Sequence, residues 1–107
     1  MTDSTESFGC EVHSEGARVS VVLRGEIDAY SADRLRSGIA SVGDVGGRHV
    51  VVDVSRVGFV DSSGLSALVT SLGSLRDAGG VVSLSSPTRQ LVKLFEITGV
   101  SRLFPVE

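Results

Sequence analysis

Three groups of side chains in this sequence could do chemistry. The densest is Asp61-Ser62-Ser63-Gly64, two hydroxyls held between a carboxylate and a glycine. A second is the acidic pair Glu26 and Asp28, with Tyr30 and Ser31 just downstream. The third is scattered: His13, His49 and Cys10. Neither histidine stands in metal-ligand spacing with another His, Cys or Asp, so each reads as a strand-end residue and no metal site is expected. A hydrolase elbow needs Gly-x-Ser-x-Gly, and Val60-Asp61-Ser62-Ser63-Gly64 puts valine where the first glycine belongs. Neither Gly-x-x-x-x-Gly-Lys-[Ser/Thr] nor Gly-x-Gly-x-x-Gly occurs, and Gly46-Gly47 and Gly79-Gly80 read as turn glycines. Glu26 and Asp28 straddle a strand-to-helix junction, where acids sit well beside a helix start. No catalytic residue and no cofactor is expected.

Asp61, Ser62 and Ser63 are preferred helix-capping types, and a cap stabilises by about 1 kcal/mol. The same position permits a second role. The first turn of a helix offers free N–H groups and a positive dipole end, which accommodate a phosphate. A phosphorylated serine adds roughly −1.5 to −2 charge. Beside Asp61 that charge is tolerable in water and costly inside an interface. A hundredfold loss of partner affinity needs only about 2.8 kcal/mol. The chemistry of the residues does not choose between Ser62 and Ser63.

The elements around these residues place them. Phe8 to His13 and Ala17 to Arg24 read as an antiparallel hairpin turned at Ser14-Glu15-Gly16, and Val19 to Leu23 as a strand covered on both faces. Ala32, Leu35, Ile39 and Val42 have helical spacing behind Ser31 or Asp28 as cap. His49 to Ser55, with Val50, Val51, Val52 and Val54, reads as a central buried strand that runs out into a short loop. Leu65, Leu68, Val69, Leu72 and Leu75 form one stripe of a helix opened by the Asp-Ser cluster, with Leu65 in the core, and Ala78-Gly79-Gly80 ends it. Val81 to Leu84 is a short strand. Ser86-Pro87 should open a third helix through Leu91, Val92, Leu94 and Phe95 to Gly99. Arg102 to Val106 should form an edge strand, since Pro105 would spoil a central one. This β-β-α-β-α-β-α-β order predicts an α/β fold: a mixed four- to five-stranded sheet with an N-terminal antiparallel hairpin and three to four helices.

The 107 residues fit one domain, expected over 8–107 behind a flexible tail at 1–7. The apolar share of 41% and charged share of 21% are ordinary globular values. A net charge of −3 with scattered basic residues argues against a nucleic-acid partner. One cysteine, Cys10, excludes an internal disulfide and suits a reducing compartment, and it reads as a buried strand residue. The acidic N-terminus is the reverse of a secretory signal, and no apolar run is long enough to span a bilayer. The cytoplasm is the expected location, with no membrane insertion.

The stretch from Asp53 to Leu68, an apolar strand ending in Asp61-Ser62-Ser63-Gly64-Leu65, resembles the signature of STAS domains, in particular bacterial anti-sigma factor antagonists. Gly25-Glu26-Ile27-Asp28 is similar to the family's second motif, and Ala78-Gly79-Gly80 and Phe95 to Val100 match its later punctuation. The similarity runs from about Cys10 to Phe104. It implies the STAS fold and a regulatory module with no catalysis of its own. In the phosphoswitch branch, the unmodified antagonist binds an anti-sigma factor that is also a serine kinase, and so releases a sigma factor. The kinase modifies the first serine after the aspartate, and a metal-dependent serine phosphatase reverses this. Carried over by position, the acceptor is Ser62, and the docking face joins Asp61, Ser63 and Gly64 to Asp28, Tyr30 and Ser31. Tyr30 has two readings, an exposed anchor or a residue packed on the sheet. The oligomeric expectation is a monomer or weak dimer. Competing readings are a STAS scaffold of a stress-sensing assembly, a subunit of a lipid-transport complex, and an enzyme with Ser62 as nucleophile.

Overall fold

The computed structural model describes residues 7–107, so the tail expected at 1–7 lies, but for Ser7, outside the described residues. β1 (Gly9–Glu15) and β2 (Arg18–Ile27) pair antiparallel, and β3 (His49–Val60) and β4 (Val81–Ser85) follow in parallel, giving the sheet order β1-β2-β3-β4. The helices are α1 (Ala32–Ala40), α2 (Ser62–Asp77), α3 (Arg89–Thr98) and a single turn, α4 (Val100–Leu103). The hairpin turn falls at Gly16, whose φ of 60° suits glycine.

The β-branched strands bury one continuous core. Val19, Val21, Leu23 and Ile27 of β2 and Val50, Val52 and Val54 of β3 pack with Leu35 and Ile39 of α1, Leu68 and Leu72 of α2, and Phe95 of α3. Ser20 and Val22 alternate with them and stay partly exposed. β2 is therefore fully covered on one face and only partly on the other, not covered on both as its composition suggests.

Three elements differ from the sequence expectation. β3 does not stop at Ser55 but continues to Val60. It carries one more residue than β2 between the pairs Val22–Asp53 and Arg24–Arg56, and again between Gly25–Val57 and Glu26–Phe59. Bulges of this kind break the alternation by which a strand is recognised. Helix α3 starts at Arg89, capped by Thr88, not at Ser86-Pro87. Ser86 is left-handed at φ 58° and donates its N–H to the Glu107 carbonyl, so it cannot begin a helix. The expected edge strand at Arg102 to Val106 is instead α4 followed by one parallel bridge from Val106 to Leu84. Left-handed Gly99 (φ 83°) ends α3 and lets a new turn restart at Val100.

Candidate functional site

The last pair in the β2–β3 register is Ile27 with Val60, so Asp28 and Asp61 leave the sheet side by side at the carboxyl ends of parallel strands. Open α/β sheets place their sites at this end. The two exits are tied together by the Asp61 N–H, which donates to the Ile27 carbonyl at 3.1 Å.

Asp61 is the cap of α2: it is extended (φ −96°, ψ −178°), and its Oδ1 accepts from the Gly64 N–H at 2.8 Å. Ser62 and Ser63 are thus the first two helical residues, ahead of the i→i−4 ladder and without intrahelical acceptors for their N–H groups. Both side chains are exposed. Neither hydroxyl caps the helix, because the carboxylate already does. What remains is a hydroxyl presented to solvent beside a carboxylate and at a positive helix end, where a phosphate can be accommodated.

Gly64 does not reach the surface. It is buried, and a Cβ there would collide with the Ile27 carbonyl and approach Ile27 Cγ2 to 2.8 Å. Its absent side chain lets α2 press against the end of β2 and fixes the loop there. Ser31 is enclosed as well. It is 6% exposed, and its hydroxyl donates to the Glu26 carbonyl at 2.9 Å and accepts from the Asp28 N–H at 2.9 Å. It stands at the N-cap position of α1 but makes no side-chain cap bond. Asp28 stays partly exposed and closes its own turn, Oδ1 accepting at 3.0 Å from the N–H groups of Tyr30 and Ser31. The turn leaves Tyr30 95% exposed, which decides between its two readings in favour of a free aromatic. Glu26, Asp28, Tyr30 and Ser31 line a shallow hollow beside Arg34, which donates to the Phe8 carbonyl at 3.0 Å. Leu65 is half-buried and packs against the core.

The other candidate residues lie elsewhere. Cys10 is half-buried on β1, and its pKa is raised, first by burial and then by the Glu11 carboxylate, so it remains a thiol. His13 is exposed beside Glu11. His49 belongs to a trio that its sequence position did not signal. Its Nε2 lies 3.2 Å from Ser83 Oγ, which donates to Glu107 Oε2 at 2.9 Å. A catalytic triad has the serine facing histidine and the carboxylate on the far ring nitrogen. Here the serine proton points to the carboxylate and the same Nε2 faces both, at 3.6 Å from Glu107 Oε2. The trio holds the 105–107 segment to β4, where the Glu107 N–H donates to Leu84 at 2.7 Å.

Comparison with known proteins agrees with this fold. The STAS domain family model matches residues 11–107, so the chain belongs to the STAS domain family. It is 32% identical over 90 residues to an anti-sigma-B factor antagonist of Bacillus subtilis, covering 82% of this chain and 80% of that one. It is 30% identical over 89 residues to the protein of that name from Listeria monocytogenes, covering 83% and 78%. A crystal structure of an anti-sigma factor antagonist from Mycobacterium paratuberculosis superposes with a TM-score of 0.75 at 26% identity, over 99% of this chain and 89% of that one. Among the described residues no helix is long and apolar enough to cross a membrane.

Proposed function

We propose that this chain is an anti-sigma factor antagonist, a binding module switched by phosphorylation of Ser62. In its unmodified form it docks through the Asp61–Ser63 loop, Asp28 and Tyr30 onto an anti-sigma factor serine kinase in the cytoplasm, and the kinase gives up its sigma factor. The kinase moves the γ-phosphoryl of ATP to Ser62 Oγ, the hydroxyl proton passes to a base of the kinase, and ADP leaves. The new dianion beside Asp61 puts a bulky, strongly hydrated group inside the closed interface, and the cost of desolvating it ends the complex. A metal-dependent serine phosphatase restores the binding form by hydrolysis.

One observation carries this reading: Ser62 is exposed at the first position of α2, with Asp61 already spent on the cap and Gly64 locking the loop against Ile27. The choice of Ser62 over Ser63 rests on the family's pattern. Incubation with ATP and anti-sigma kinases of the same genome, followed by intact-mass and peptide mapping, tests it. One phosphoryl group that Ser62→Ala abolishes and Ser63→Ala retains is the expected result. Absence of modification, with a transporter ATPase or a non-kinase assembly co-purifying, would move the chain to a transport or scaffold role.

A further inference from the structure

An apolar surface adjoins the serine loop where the end of β3 meets α3. Phe59 and Val60 at the end of β3, with Gln90, Lys93, Leu94 and Ile97 of α3, line a cleft of about 270 Å³. The α3 residues recur at helical spacing and form its outer stripe, while Leu91, at the floor of the cleft, and Phe95 are buried in the core. Phe59 is 48% exposed and Ile97 84%. Isolated exposed apolar residues need no explanation, but two bordering one cleft beside a docking loop do.

We infer that this cleft is the second half of the kinase-docking face, receiving an apolar side chain of the anti-sigma kinase flanked by a carboxylate. The inference rests on the proposed function and adds to it a surface outside the serine loop. Its first support is continuity. A standard interface covers about 800 Å² per partner, a patch of roughly 16 Å radius. Phe59 precedes Ser62 by three residues, at most about 10 Å along an extended strand. Phe59 therefore lies within the reach of an interface centred on the Ser62 hydroxyl. The second support is charge. Lys93 is the cleft's one charged lining residue, whereas the hollow on the Tyr30 side carries Glu26 and Asp28 next to Asp61, against one cation, Arg34, that is engaged with the Phe8 carbonyl. The face is divided, acidic on one flank and cationic with apolar walls on the other. A partner complementary to it presents cations toward Asp28 and an apolar group with a carboxylate toward Lys93.

The test is titration calorimetry of the unmodified chain with a same-genome anti-sigma kinase, comparing wild type, Ile97→Asp, Lys93→Glu and Val81→Asp. Val81 is also exposed, at the opposite end of the sheet, and serves as the control. Ile97→Asp should weaken binding at least tenfold and Lys93→Glu severalfold, with melting temperatures unchanged, while Val81→Asp binds as wild type. Binding of both cleft variants within twofold of wild type overturns the inference and leaves the proposed function standing. So does a wild-type dimer in sedimentation that Ile97→Asp dissolves without altering kinase affinity, which would give the cleft to a second copy of the chain. If no such kinase binds even the wild type, the proposed function falls and the inference with it.

Discussion

Helices α2 and α3 begin with the same hydrogen bond. At α2 the Asp61 carboxylate accepts from the N–H three residues on, at 2.8 Å, and at α3 the Thr88 hydroxyl does so at 3.3 Å. Both caps are extended residues following a strand on the same side of the core. The third helical residue separates them. At α3 it is Leu91, which fills the core with a side chain; at α2 it is Gly64, which brings the backbone against Ile27. The first two positions differ as well, Arg89 and Gln90 against Ser62 and Ser63. A capped helix start is thus generic architecture. It becomes a site where close packing fixes the loop and a short hydroxyl occupies the first turn.

Gly64→Ala should break the comparison most severely. The added methyl meets a backbone carbonyl that a rotamer change cannot clear, so the overpacking loss falls near the top of its usual range, about 3 kcal/mol. In a domain of this size that lowers the melting temperature by roughly 12 to 24 °C. A melt within about 3 °C of wild type would show that α2 is not wedged against β2.

Ser62 should give the next largest effect. Quantitative phosphorylation, read by calorimetry against the kinase, should weaken binding about a hundredfold, or about 2.8 kcal/mol. The fold should be untouched, because the side chain is solvent-exposed and touches no core residue. Equal affinity of the two forms would reduce the loop to the generic start that α3 has.

The two caps themselves sharpen the contrast. Asp61→Ala and Thr88→Ala should each cost about 1 kcal/mol in thermal or urea unfolding. Only Asp61→Ala should also change kinase binding, since Thr88 lines neither the cleft nor the hollow beside Tyr30. Equal binding losses from both variants would mean that helix stability, not the Asp61 carboxylate, governs docking.

Much of this was legible from residue types alone, and the exceptions share a cause. The valine runs of β2 and β3 and the leucine stripe of α2 declare themselves because burial imposes period 2 or 3.6 on apolar residues. The extension of β3 to Val60 was hidden because its bulges shift the register where Arg56, Gly58 and Phe59 are exposed. Ser86 was read as a cap from its type, whereas its conformation is set by a bond to Glu107, distant in sequence. At the site, the residue types announced the loop but not which of its residues and neighbours turn inward. Gly64 and Ser31 lie inside because of contacts with Ile27 and Glu26 on a neighbouring strand. The His49–Ser83–Glu107 trio and the Phe59–Ile97 cleft were invisible for the same reason: each joins residues that only the folded sheet and helices bring together.

Ser63→Ala should have the smallest effect, and it is the most discriminating variant for that reason. Ser63 shares with Ser62 its exposure, its helix end and its neighbouring carboxylate, so general electrostatics predicts similar behaviour for both. Alanine exceeds serine in helix propensity by about half a kcal/mol, so the variant should melt slightly higher, by roughly 2 to 4 °C. Phosphoryl uptake should persist and kinase binding should fall at most severalfold, because with Ser62 as acceptor the second hydroxyl serves neither as acceptor nor as cap. If Ser63→Ala halts phosphorylation while Ser62→Ala does not, the acceptor is the second helical residue. The dianion would then sit one step further into the helix and one residue further from Asp61 along the chain. The contrast with α3 would survive, but it would turn on the second residue of the helix, Ser63 against Gln90, instead of the first.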